Sequence, residues 1–163
     1  MTQIGLISDT HNYLHSKIFT FFKDVDEIWH AGDIGSIDIL ERLQKFKVFR
    51  AVYGNIDGHE IRTIFPRYQN FYCEKMNVLM THIGGYPGRY EKGIREIIIE
   101  KKPDLFISGH SHILKVMNDE KYNLLYINPG AAGKFGLHNV ITFVRFRISE
   151  KRIHDLEIME IER

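Results

Sequence analysis

In the first third of the chain, short apolar runs alternate with stretches whose apolar positions recur at helical spacing. Gln3 to Ile7 reads as a buried strand that runs out into the polar Ser8-Asp9-Thr10-His11-Asn12. Leu14, Ile18, Phe19, Phe21 and Phe22 predict a helix over Tyr13 to Lys23, broken by Asp24-Val25-Asp26. Glu27 to His30 reads as a second strand ending on Ala31-Gly32-Asp33. A second amphipathic helix begins at Ser36, whose hydroxyl suits an N-cap, and runs through Ile39, Leu40 and Leu43. Lys47 to Tyr53 predicts a third strand, stopping at Gly54-Asn55-Ile56-Asp57-Gly58. Strand, helix, strand, helix, strand favours a mainly parallel sheet with helices packed on its faces. The carboxyl ends of such strands are where ligands collect.

The remainder reads differently. Tyr68 to Glu74 and Asn77 to Thr81 predict a hairpin, followed by the Gly/Pro-rich His82-Ile83-Gly84-Gly85-Tyr86-Pro87-Gly88. A helix is expected from Tyr90 to Lys101, closed by Pro103, then a strand over Asp104 to Ser108 that ends at Gly109-His110-Ser111-His112. Ile113 to Met117, Lys121 to Asn128, Asn139 to Ile148 and Arg152 to Glu162 read as antiparallel strands. The last alternates only imperfectly. With no repeat or linker, a single domain over 1–163 is expected, built of two packed sheets with helices outside and without a cap domain.

Composition narrows the class without naming a chemistry. A net charge of +1 gives no general pull toward nucleic acid or acidic membranes. Apolar runs such as Ile97-Ile98-Ile99 are far too short for a membrane span, and no basic segment with a long apolar run opens the chain, so a soluble cytoplasmic protein is expected. The one cysteine, Cys73, has no partner for a disulfide and no metal-binding spacing, and reads as a packed thiol.

The chemistry lies at the strand ends. Asp9, His11, Asp33, Asn55, His82, His110 and His112 each follow an apolar run and sit near Gly or Ser. Carboxylate, amide and imidazole together suit divalent metals such as manganese, iron or zinc. Seven ligands are too many for one tetrahedral site but suit two adjacent ions sharing a carboxylate, with Asp33 the natural bridge.

Asp9-Thr10-His11, Gly32-Asp33, Gly54-Asn55-Ile56-Asp57, Thr81-His82 and Gly109-His110-Ser111-His112 resemble, in order, the motif set of the calcineurin-like metallophosphoesterases. Asn128-Pro129-Gly130-Ala131 resembles a signature of their small bacterial and archaeal phosphodiesterase branch. By that resemblance, Asp9, His11, Asp33 and His112 hold a first metal, and Asp33, Asn55, His82 and His110 a second. It implies an α/β, four-layer sandwich of two mixed sheets flanked by helices, and two divalent ions, with manganese first and nickel, cobalt, iron or zinc as alternatives. The reaction implied is attack of a metal-bound hydroxide on a small phosphodiester. Asp33, Asn55 and Asp57 make up the catalytic set, Asp57 being expected to orient a ligand or cap its loop.

Two positions depart from the pattern. Ile56 stands where the larger family has a histidine thought to serve the leaving group, and His82-Ile83-Gly84-Gly85 replaces the commoner His-Gly-His. Isoleucine donates no proton, which favours esters with acidic leaving alcohols. His30 is a candidate support for a metal ligand and His59 for a substitute donor, while His15, His138 and His154 are expected at the surface or at caps. Arg89 is a candidate for phosphate contact, and Gly32, Gly54, Gly84, Gly109 and Gly130 for unusual backbone angles. Phe65, Phe71, Tyr72 and Tyr86 are candidates for a pocket or for an interface between copies. Two other functions stay in view: a protein-binding scaffold of the same fold, as in the retromer subunit, and a nuclease, disfavoured by the missing basic stripe.

Overall fold

The computed structural model describes residues 1–163. One mixed sheet contains β1 (Thr2–Ile7), β2 (Glu27–His30) and β3 (Val48–Ala51) in parallel, extended beyond β1 by the antiparallel β11 (Val140–Ser149) and β12 (Arg152–Glu162). The other has a parallel centre of β5 (Met76–Thr81), β8 (Leu105–Ile107) and β10 (Leu124–Pro129), flanked by the antiparallel β4 (Tyr68–Cys73) and β9 (Leu114–Asp119). A two-strand ribbon, β6 (Gly85–Tyr86) with β7 (Arg89–Tyr90), forms in the Gly/Pro loop.

Alternation along the strands sorts side chains into separate cores. Ile4 and Leu6 of β1 join Val78, Met80, Leu105, Ile107, Val144 and Phe146 between the two sheets. Ile7 faces the other way, onto α1 (Lys17–Phe21) and α2 (Ile37–Phe46), where Ile18, Phe22, Ile39, Leu40 and Leu43 are buried. In the second sheet Leu79, Phe106 and Tyr126 turn outward against Ile94 and Ile98 of α4 (Ile94–Lys101). Helix, sheet, sheet, helix: the four-layer α/β sandwich of two mixed sheets is the observed architecture.

Local departures from the pattern have local causes. The first helix is shorter than Tyr13 to Lys23, because Leu14 reaches the core from a turn rather than from a helix. Ser16 makes no side-chain cap there; His15 Nδ1 accepts from the Lys17 amide instead. An unanticipated helix, α3 (His59–Ile64), buries only Ile61 and so leaves no periodic trace. α4 starts later than expected, at Gly93, whose φ of 87° a side chain would resist. A bulge at Asp155 and Leu156 of β12, which together face the single Phe146 of β11, accounts for its imperfect alternation.

Of the aromatic candidates, Phe71 packs edge-on against Trp29 at 5.0 Å, Tyr72 is exposed, and Tyr86 lines a cavity described below. Cys73 is buried, and burial pushes its thiol up to about 11. No helix is long and apolar enough to cross a membrane.

Candidate metal centre

The parallel strands of both sheets end on one edge of the sandwich, and every expected ligand sits just past such an end. Asp9 and His11 follow β1, Asp33 follows β2, Asn55 follows β3, His82 follows β5, and His110 and His112 follow β8. The structure brings all seven together. Asp9, His11 and His112 form one group and Asp33, His82 and His110 another, each with its donor atoms within 4.8 Å of one another. Asn55 Oδ1 lies 3.0 Å from His82 Nε2, which adds it to the second group. Asp33 Oδ2 is 3.2 Å from both His11 Nε2 and His82 Nε2, between the groups, where a bridging carboxylate belongs.

Whether these residues fit cations can be judged from their unmet valences. Asp9 Oδ1 and His11 Nε2 are buried and make no hydrogen bond. Orphaned buried polar atoms are costly, and a ligand is what they lack. Asp9 Oδ1 stands 3.2 Å from His112 Nε2 and 3.7 Å from His11 Nε2. Burial alone would raise the Asp9 carboxyl, yet His11 and His112 hold it below the usual carboxylate range. Burial opposes Asp33 likewise, and His11 and His82 lower it. The nearby carboxylates of Asp33, then Asp9, lift His11 to about 9. Burial would lower His82, but Asp33 and Asp9 raise it. Two charged carboxylates thus draw positive charge inward, and the donor set fits two divalent ions.

The surrounding residues fix which atom each ligand presents. His82 Nδ1 donates to the Ala31 carbonyl at 2.8 Å, leaving the Nε2 lone pair free. Asp9 Oδ2 accepts from the Ser8 hydroxyl at 2.7 Å and the His110 amide at 3.0 Å, so Oδ1 is the free oxygen. Asp33 Oδ1 accepts from the Ile56 amide at 3.0 Å, freeing Oδ2. His30, fully buried, accepts from the Gly32 amide through Nδ1 and faces the Thr10 hydroxyl through Nε2 at 3.0 Å. It supports the ligand loops rather than a ligand side chain. Burial pushes its imidazole down to about 4, so it is neutral at pH 7. Asn128 donates to the Gly109 carbonyl and the Ser111 hydroxyl, tying β10 to the loop that bears His110 and His112.

Asp57 takes the loop-capping part of its expected role. Its buried carboxylate accepts from the amides of Ile34, Gly35 and Gly54, which locks the Asp33 loop to the Asn55 loop. It is a positioning residue. His59 is exposed at the start of α3, and Arg89 opens onto a separate cavity shared with Glu96 and Lys121.

Unusual backbone angles fall on five of the expected ligands as well as on turns elsewhere in the chain. Asp9, His11, Asp33, His110 and His112 all have φ between 44° and 70°, a left-handed region that costs a non-glycine residue roughly 1–2 kcal/mol. Of the five glycines singled out, only Gly32 and Gly130 have positive φ. Gly54 and Gly109 serve by absence: a Cβ there would collide with the Asp33 carboxylate and the Ser8 hydroxyl respectively.

One contributor went unassigned to the centre in the sequence, where His138 is expected at the surface or at a cap. Its Nε2 donates to the Gly133 carbonyl at 2.8 Å, and its Nδ1 lies 3.1 Å from His112 Nδ1. With Nε2 donating, His138 Nδ1 is an acceptor, His112 Nδ1 carries the proton and His112 Nε2 presents its lone pair to the centre. Phe135 of the same loop stacks on the His11 ring at 4.9 Å. No strand pattern marks this loop; only its histidine hinted at a role.

A family model described as a calcineurin-like phosphoesterase superfamily domain matches residues 2–151. A curated probable metallophosphoesterase of Methanothermobacter thermautotrophicus is 36% identical over 134 residues, covering 78% of this chain and 76% of that one. Among solved structures, a novel archaeal phosphodiesterase matches with a TM-score of 0.76 at 24% identity, covering 98% of this chain and 99% of that one. Vps29 of Chaetomium thermophilum matches with a TM-score of 0.76 at 14% identity, covering 98% and 95%. At these identities the structural likenesses establish the fold alone.

Proposed function

The chain belongs to the calcineurin-like phosphoesterase superfamily, and from that premise we propose that it is a two-metal phosphodiesterase acting on small phosphodiesters. The observation that carries this reading is the pair of ligand groups meeting at Asp33, with Asp9 Oδ1 and His11 Nε2 buried and unpartnered. Asp9, His11, Asp33 and His112 would hold one ion, and Asp33, Asn55, His82 and His110 the other. Such ions, manganese being our first choice, lower the pKa of a water and offset charge growing on phosphoryl oxygens.

The chain's own groups set the limits of the reaction. Ile56 offers the leaving oxygen no proton, so alcohols acidic enough to leave unassisted are favoured. Beside His110 lies a cavity of about 280 Å³ whose walls include Ile83, Tyr86, Ile113 and Lys115. Its apolar and aromatic lining suits an aryl or similarly flat leaving group. Asp57 keeps the Asn55 and Asp33 loops in register, and His30 stays neutral so that the Thr10 and Gly32 contacts persist.

Hydrolysis of bis(p-nitrophenyl) phosphate tests this directly. Turnover should require added manganese, nickel or cobalt, and Asp33→Ala or Asn55→Ala should reduce kcat/KM by about 100-fold or more. Unimpaired activity in either variant, or none in the parent, overturns the proposal. A scaffold is the second reading, because the loops around the centre expose apolar side chains at Ile56, Ile83, Ile113, Phe135 and Leu137. Metal analysis separates the two: two ions per chain support the enzyme, and none supports the scaffold.

A further inference from the structure

Ile83 borders both the aromatic cavity and a second one, of about 230 Å³, lined also by Tyr53, Asn55, Arg62, Arg67 and His82. Two of its walls are thus expected metal ligands and two are arginines. Arg62 is held in place without being neutralised. Its Nε donates to the Asp57 carbonyl at 2.6 Å, its Nη2 to the Asn55 carbonyl at 3.2 Å, and its guanidinium lies over the Tyr53 ring at 4.7 Å. Carbonyls satisfy its donors but leave its charge whole. The Arg67 side chain makes neither a hydrogen bond nor an ion pair; the arginines that do pair with carboxylates are Arg42, Arg145 and Arg147. Both guanidinium groups are exposed, so water solvates them when the cavity is free, but two of them without a carboxylate partner at one small cavity favour an anion there, and the planar fork of arginine suits phosphate oxygens above all.

The place of this cavity says which anion. The phosphoryl under attack would sit at Asp33, where the two ligand groups meet. The arginine cavity touches the two ligand groups only at Asn55 and His82 and does not include Asp33, so a group bound against the arginines adjoins the reacting phosphoryl and does not replace it. We propose that Arg62 and Arg67 form a subsite for a second phosphate on the retained arm of the substrate, a proposal that rests on the phosphoesterase reading above. The substrate is then an unsymmetrical phosphodiester: a leaving alcohol beside Tyr86 and Ile113, and a retained arm bearing a further phosphate toward the arginines. On hydrolysis a water oxygen bonds to the reacting phosphorus, the bond to the leaving oxygen breaks, and that oxygen takes up a proton. The retained arm departs as a monoester still carrying its second phosphate.

Binding and turnover test this separately. On the manganese-loaded full chain, calorimetry should show thymidine 3′,5′-bisphosphate binding about tenfold more tightly than thymidine 5′-monophosphate. That ratio should fall to about one in Arg67→Met and recover in part in Arg67→Lys. The 5′-p-nitrophenyl esters of the same two nucleotides should show the same ratio in kcat/KM, with the same dependence on residue 67. Equal binding of the two nucleotides by the parent overturns the subsite. So does an equal loss for both in Arg67→Met, which would assign the arginine to the reacting phosphoryl. An Arg67-dependent preference in binding, with neither ester hydrolysed, keeps the anion site and overturns the phosphoesterase reading instead.

Discussion

At the scale of single residues, the centre depends on which nitrogen each imidazole presents. The chain from the Gly133 carbonyl through His138 to His112 sets a tautomer that His112 alone would not hold. Replacing the outer member should therefore weaken the first metal while sparing the second. In His138→Phe, competition with a chelator should show the first ion's affinity falling about 10–100-fold, and His138→Gln should recover part of the loss. Equal weakening of both ions would show that His138 steadies the whole loop cluster. The clustering of the seven expected ligands was legible because each follows an apolar run that had to be a strand. His138, Arg62 and Arg67 were not: they lie outside the strand ends, and their meaning comes from carbonyls and cavities that only tertiary structure supplies.

At the scale of elements, the loops past β1, β2 and β3 carry four of the expected ligands but few large core side chains, so polar ties must hold them. Asp57 alone takes three backbone amides from two of these loops. Asp57→Asn keeps the size but gives up the charge and part of the acceptor capacity, and should destabilise the chain by about 2 kcal/mol. Thermal unfolding should show that as a melting point lower by a few degrees. No shift would mean that water replaces the carboxylate without cost. The strands and α2 were readable from the sequence because burial enforces their periods: Ile4 and Leu6 face one core and Ile7 the other. α3 was hidden, since a six-residue helix with one buried side chain has no period to read. The irregular stretch from Tyr13 to His15 misled for the opposite reason, Leu14 being buried without being helical.

For the whole molecule, two sheets pressed face to face bring six strand ends to one edge, and the charged groups gathered there make stability depend on pH. His30 is held down at about 4 by burial, so its contribution is complete above about 6.5 and is lost as pH falls through 4. Asp9 and Asp33, also held low, act in the same direction at the acid end. His11 is lifted to about 9 by Asp33 and Asp9, so its contribution is complete below about 6.5 and fades as pH rises through 9. Chelator-treated protein should thus show its highest urea midpoint near neutrality, falling on both sides. Metal-loaded protein should lose the alkaline fall, because cations replace the protons, and His30→Gln should flatten the acid one. A midpoint independent of pH in the stripped protein would contradict this account. The left-handed angles of Asp9, His11, Asp33, His110 and His112 give the fold a direction of descent. Each of these residues adopts a conformation that glycine or asparagine would take more readily. Were the proposed metal centre not needed, substitutions at these positions would run downhill, exchanging metal-binding side chains for sturdiness one loop at a time while both sheets stay intact.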